Sequence, residues 1–328
     1  MKANQKNILI VKNRAMGDSV MGLSSVQYLR ELYPESNLFY GVPKWVAPLY
    51  EGCDFDFEIL PIELGTLGDW FRLWRKLRSL KIDHIHEMHQ SGRTKKFFRL
   101  YSLFNRVPYT YHNHALDIKS EVVDQNKLGP LIGRDLNGVF SFLGKEKRPS
   151  YLDYPPKMVV SVKKRNRVIL GVVATRATKM WPLEYFVELA EKLKARDPEV
   201  EIMIPLGPGD QEIGKKLEEL GIERFAEVVR WPLDLLAREL ASSELYIGND
   251  TGLKHICVAL GVKTYTFFGP ELPLEWHPYD ESAHPFFFIE GLSCRTRTAH
   301  FCGLSECDSM ACLKDIEVGK VIGIIDLF

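Results

Sequence analysis

Glu244-Leu-Tyr-Ile-Gly-Asn-Asp-Thr-Gly-Leu-Lys-His-Ile-Cys-Val-Ala-Leu-Gly-Val-Lys-Thr-Tyr-Thr-Phe-Phe-Gly-Pro270 is the stretch whose reading decides the fold. Leu245 to Ile247 is apolar and breaks into the polar, flexible Gly248-Asn-Asp-Thr-Gly252. Leu253, Ile256, Cys257 and Leu260 then recur at helical spacing before a second β-rich run, Thr264 to Phe268. The order is strand, tight turn, helix, strand. Thr251 or Asp250 can cap the helix, Gly252 lets backbone come close to a ligand, and the first amides of the helix point outward with partial positive charge. Such a terminus suits a phosphate, and an ordinary capped βα turn would read the same on local chemistry.

Outward from that stretch the same alternation repeats. Val168 to Val173 reads as a strand and Ala174 to Trp181 as a loop. Pro182 to Leu193 reads as a helix whose first turn carries Pro182 and Glu184. Strand Glu201 to Leu206, helix Gln211 to Leu220, a short strand near Ala226 to Val229 and helix Leu233 to Ala241 follow. Alternating strands and helices with right-handed crossovers imply a parallel sheet covered on both faces. The chain also begins this way: Ile8 to Val11 is an all-apolar run, a helix extends to about Tyr33, and Leu38 to Val42 is the next strand. The intervening loop has one glycine before Asp18 and lacks the Gly-x-Gly-x-x-Gly spacing of a dinucleotide site. Asp18 therefore stands where a strand's carboxyl end meets a helix, either as a general base or as a dipole-stabilised N-cap. The stretch from Gly144 to Lys157, rich in charge and proline, divides 1–150 from 151–328. The reading is two similarly wound α/β domains with a ligand between their strand ends.

Composition narrows the function. The 328 residues suit two domains, and 43 basic against 43 acidic residues give no global field for nucleic acid. No secretory signal and no membrane-length apolar run is read, so a cytoplasmic location with reduced thiols is expected. Locally, Trp70 to Arg106 carries ten basic residues against two acidic ones. Within it Trp70, Leu73, Trp74, Leu77 and Leu80 form one helical stripe, suited to docking on its own sheet. The flanking charge suits anionic lipid or a phosphorylated acceptor. Ile82 to His89 reads as a strand whose three histidines invite a metal, but one strand rarely converges three ligands. Asp54 and Asp56 read as the wet face of an edge strand rather than a metal–nucleotide motif. Cys294, Cys302, Cys307 and Cys312 are separated by seven, four and four residues, which is no zinc-knuckle spacing; a reduced, partly buried cluster is expected.

Three segments, Ile8-Leu-Ile-Val-Lys-Asn-Arg-Ala-Met-Gly-Asp-Ser-Val, Lys179-Met-Trp-Pro-Leu-Glu-Tyr-Phe and Tyr246-Ile-Gly-Asn-Asp-Thr-Gly-Leu-Lys-His, followed by Phe267-Phe-Gly-Pro, resemble the ADP-heptose:lipopolysaccharide heptosyltransferases, glycosyltransferase family 9. Order and spacing agree along nearly the whole chain. The resemblance implies a GT-B fold: two Rossmann-like, doubly wound domains facing each other across a cleft, acceptor on the first and nucleotide sugar on the second. It also implies a last helix that packs back on the first domain. By the same resemblance Asp18 is the general base, Lys179 neutralises charge on the departing diphosphate, and no metal or other cofactor is needed. Thr175, Lys179, Asp250, Thr251, Gly252 and His255 hold the donor. Arg93 and Lys96 are read as acceptor contacts from the basic segment. The partners implied are ADP-heptose, or another nucleotide sugar, and an anionic glycolipid of the lipopolysaccharide inner core. The protein is then a monomer peripheral to the cytoplasmic face of the inner membrane. The competing reading is a catalytically idle module that keeps nucleotide-sugar binding.

Overall fold

A computed structural model of the chain describes residues 6–113, 129–143, 150–294 and 306–326. It divides into two compact units, Met1–Val159 and Val160–Phe328.

In the first unit five parallel strands, β1 (Asn7–Val11), β2 (Asn37–Pro43), β3 (Glu58–Ile62), β4 (His84–Met88) and β5 (Tyr109–His112), lie in the order β3-β2-β1-β4-β5. Ile8 to Val11 is buried because both sheet faces are covered, which is why the run is apolar without alternation. Helices α1 (Met16–Met21), α2 (Leu23–Leu32), α3 (Leu67–Ser79), α4 (Gly92–Asn105) and α5 (Leu131–Leu143) complete it. The tryptophan–leucine stripe of α3 docks on its own sheet. Leu73 and Leu77 are buried, and Trp70, Trp74 and Leu80 pack on the same core beside Phe97 and Tyr101 of α4. Each fully buried leucine of this kind contributes about 1.5–3 kcal/mol. A Thr66–Asp69 capping box fixes where α3 starts.

Two local expectations are corrected. The helix expected to run unbroken to Tyr33 is two helices that part at Gly22. There the Tyr40 hydroxyl donates to the Ser19 carbonyl at 2.6 Å, the acceptor a continuous helix would offer to Leu23. Any Cβ at Gly22 would come 2.2 Å from that hydroxyl. Asp54 and Asp56 are exposed as expected, but not on an edge strand: Asp54 makes a single bridge to Val159, and Asp56 pairs with Arg30 at 2.9 Å.

The second unit holds six parallel strands, β6 (Arg167–Gly171), β7 (Glu201–Pro205), β8 (Glu227–Val229), β9 (Leu245–Asn249), β10 (Lys263–Phe268) and β11 (Phe286–Phe288), ordered β11-β10-β9-β6-β7-β8. This is the strand order of a complete doubly wound dinucleotide fold. Helices α6 (Leu183–Arg196), α7 (Gln211–Glu219), α8 (Leu233–Ala241), α9 (Gly252–Ala259), α10 (Pro273–Trp276), α11 (Ala311–Lys314) and α12 (Val318–Ile324) connect or cover the strands. The final helix, α12, lies against α6 within this unit, with Val318, Val321 and Ile322 in its core. Trp181 is fully buried at the centre, stacked 4.2 Å from Phe267, and its indole N–H donates to the Ile316 carbonyl at 2.9 Å. That bond ties the chain's last segment to the loop after β6.

In both units the winding reverses direction, between β1 and β4 and between β6 and β9. Open α/β sheets bind ligands at the carboxyl ends of such strand pairs. Gly171 and Gly248 are paired at the second of these points, and a Cβ on Gly248 would lie 2.5–2.7 Å from Gly171 backbone atoms. Only glycine fits there.

Candidate functional site

At the switch point of the first unit Asp18 occupies the first turn of α1, half-buried. Burial pushes its carboxyl above the ordinary value; Lys12 pulls it down and Asp135 pushes it up. Lys12 follows β1 and has no exposed side chain; both oxygens of Asp135 on α5 accept from its Nζ, at 2.8 and 2.7 Å. The chain of contacts continues from Asp135 to His112 Nε2 (3.1 Å), from His112 Nδ1 to His86 Nε2 (3.1 Å) and from His86 Nδ1 to Thr110 Oγ1 (2.9 Å), which also meets His84 Nε2 (2.9 Å). Of the three histidines between Ile82 and His89, the two on β4, His84 and His86, are thus members of a polar chain. Burial drives His86 far below its usual range and His84 to about 4, so these rings are neutral at pH 7. His89, the third, sits in left-handed backbone conformation with φ 63°, and burial lowers it to about 4. Non-glycine residues held there cost about 1–3 kcal/mol and gather at functional sites. Among the described residues no group of His, Cys, Asp and Glu converges as a metal site.

Arg93 and Lys96 are exposed on α4, one turn apart. Around them α3 and α4 expose Arg72, Arg75, Lys76 and Arg99 together with Phe71, Leu103 and Phe104. The charged segment is therefore also apolar at its surface.

In the second unit the loop after β6 and the turn after β9 meet. Asn249 joins them: its Nδ2 donates to the Val172 carbonyl at 2.8 Å and its Oδ1 accepts from the Trp181 amide at 2.9 Å. Lys179 is thereby brought to Asp250, Nζ to Oδ2 at 3.2 Å, with Glu271 Oε1 at 3.7 Å. Glu271 is itself paired with Arg176. Thr251 is the N-cap of α9, but its hydroxyl makes no capping bond to the helix, and Gly252 is the first helical residue. Thr175 is exposed in the same loop as Lys179. His255 is buried one turn into α9, its Nδ1 2.5 Å from the Tyr279 hydroxyl and its Nε2 3.9 Å from Asp250 Oδ1. Burial, reinforced by Lys254, keeps that ring neutral. Burial works against ionisation of Asp250, but the neighbouring Lys254 and Lys179 charges outweigh it and hold the carboxyl below the ordinary range.

Lys179, Asp250, Thr251, Gly252 and His255 are gathered in one place, with Thr175 on the same loop. Asp18 stands alone of its set in the first unit. Lys12, Asp135, Asn249, Lys254 and Glu271 were not singled out from sequence. Lys254 had a legible signal, its four-residue spacing from Asp250 across the start of α9. Asp135 lies 123 residues from Lys12 and had none.

Two doubly wound parallel units, each with polar side chains collected at its switch point, give the chain the GT-B fold, and its family match makes it a glycosyltransferase. The sequence profile of glycosyltransferase family 9 (heptosyltransferase) matches residues 70–302, and the chain belongs to that family. Over 319 residues it is 22% identical to lipopolysaccharide heptosyltransferase 2 of Escherichia coli, covering 87% of this chain and 88% of that protein. Over 332 residues it is 22% identical to lipooligosaccharide heptosyltransferase 2 of Haemophilus influenzae, with 89% and 91% covered. Its fold matches the structure of E. coli ADP-heptose LPS heptosyltransferase II with a TM-score of 0.72 at 20% identity, over 97% of this chain and 96% of that one. Among the described residues no helix is long and apolar enough to cross a membrane.

Proposed function

We propose that this enzyme transfers a heptose, with inversion, from ADP-heptose to an inner-core acceptor of lipopolysaccharide. The observation that carries the reading is the Lys179–Asp250 seat at the carboxyl ends of β6 and β9, beside the amino terminus of α9. It offers a fixed ammonium and uncapped helix amides, the two features a diphosphate recognises. The ADP-heptose in the name of the matching E. coli structure supports this donor.

In-line displacement asks for a base on the acceptor side of the anomeric carbon and positive charge on the leaving side. Asp18, with its raised proton affinity, is suited to take the acceptor hydroxyl's proton as the new glycosidic bond forms. Lys179 neutralises the diphosphate as its bond to the sugar breaks, a task open to a bound divalent ion in other transferases. Thr251, Gly252 and Thr175 lie where phosphate oxygens would meet amides and hydroxyls, and Asp250 and His255 line the same seat. Arg93 and Lys96 take the anionic acceptor. The exposed Phe71, Leu103 and Phe104 among arginines and lysines suit contact with an anionic membrane leaflet and support the reading of an enzyme peripheral to the cytoplasmic face of the inner membrane.

The test is the thermal shift of the purified protein with ADP, UDP, GDP and CMP, each with and without Mg²⁺. Stabilisation by ADP alone, indifferent to Mg²⁺ and lost in Lys179→Ala, is expected. Preference for another nucleotide replaces the donor, silence towards all four overturns the donor seat, and ADP binding without transfer to any acceptor replaces transfer by the idle-module reading.

A further inference from the structure

Lys254 is out of place by every local rule. It lies in the first turn of α9, where a cation opposes the helix dipole, and its side chain has no exposed surface. A buried ammonium persists only where partners replace its water. Here Nζ donates to Asp250 Oδ1 at 2.5 Å and to the Trp276 carbonyl at 2.7 Å, and it lies 4.9 Å from the centre of the Phe268 ring and 5.8 Å from that of Tyr279. The carbonyl and the two rings would be enough to anchor α10. The bond to Asp250 is the one that reaches the donor seat.

The two oxygens of Asp250 are divided, Oδ1 on Lys254 and Oδ2 on Lys179. Counted as charges, Asp250 alone stands between two cations, Lys179 and Lys254, a local surplus of one positive charge. Without Lys254 the count is zero, and Asp250 has both oxygens for Lys179. A diphosphate would then meet a lysine already neutralised by its own protein.

We propose that Lys254 is a positioning residue for donor binding: it occupies one oxygen of Asp250 and so leaves the charge of Lys179 available to the diphosphate. This rests on the reading that Lys179 meets the donor's diphosphate. Burial lowers Lys254 to about 8 against the raising pull of Asp250, so the charge is present at neutral pH.

The experiment is a double-mutant cycle in the full chain, read as ADP affinity by titration calorimetry, with circular dichroism to verify folding. Lys254→Met weakens ADP binding about tenfold when Asp250 is present, a coupling usual for neighbouring charges. In the Asp250→Asn background the same change alters affinity less than about threefold. Equal effects in both backgrounds, or none in either, overturn the proposal. Lys179→Ala is the control: if it loses ADP while Lys254→Met binds as the wild type does, the donor reading stands and this inference falls. If Lys179→Ala binds ADP normally, both fall. Should Lys254→Met yield no folded protein, Lys254→Gln, which removes the charge and keeps an amide N–H to offer, takes its place in the cycle.

Discussion

Each unit of this chain buries a lysine at the carboxyl ends of its switch strands, and the two lysines do opposite things. Lys12 is closed off by both oxygens of one carboxylate, Asp135, and the residue left beside the pair is an acid, Asp18. Lys254 takes only one oxygen of its carboxylate, and the residue left beside that pair is a base, Lys179. A buried ion pair adds little net stability after its desolvation cost. What it can do is decide the charge seen by its neighbour. In the first unit a self-satisfied pair lets burial govern Asp18 and keep its proton affinity high. In the second, a shared carboxylate fixes Lys179 without cancelling it.

The sharpest break of this contrast would come from activity. Asp18→Asn is expected to lower turnover by about 10²- to 10⁴-fold, the usual worth of a general base, while ADP binds as before. Loss of ADP affinity in that variant would show that the two units do not divide the work. The next effect in size is on stability. Lys12→Met takes the buried ammonium away from both oxygens of Asp135 and should cost about 3–5 kcal/mol in urea unfolding, as for a broken buried pair. Lys254→Met should cost less because Asp250 keeps Lys179. Equal losses would erase the difference between a closed and a shared pair. The smallest effect is one of pH. A raised Asp18 pKa means that the base ionises later as pH rises, so kcat/KM should climb through an acid limb lying above the ordinary carboxylate value of 3.8. Asp135→Asn removes the repulsion that raises Asp18 and leaves Lys12 unbalanced. Both lower the pKa, so the limb should move to lower pH; a limb that stays put would mean Asp135 serves folding only.

Much of this architecture was legible. All-apolar runs such as Ile8 to Val11 and helical stripes such as Trp70 to Leu80 report burial directly, because solvent exclusion acts on neighbours in sequence. The turn between β9 and α9 was legible for the same reason: strand, glycine, carboxylate and helix follow one another within a few residues. What stayed hidden depends on distant partners. Nothing local marks Gly22 as a break, since the cause is a hydroxyl on β2. Nothing in the sequence around Lys12 marks it as buried until α5 brings Asp135 to it, and the β4 histidines read as metal ligands or ordinary strand residues until Thr110 and His112 arrive from β5. Of the cysteine cluster, Cys302 lies outside the described residues.

Asn249 carries one last consequence. Its amide spends both ends on main chain, one on the strand side of the β6 loop and one on Trp181, whose ring is locked in the core. The two ends of a loop fastened in this way should not open on their own, and the Trp181 amide is expected to exchange its hydrogen with water only when the surrounding unit melts. A nucleotide seat built on this loop would be as durable as the domain that bears it, and heat should then abolish recognition and structure at one and the same temperature.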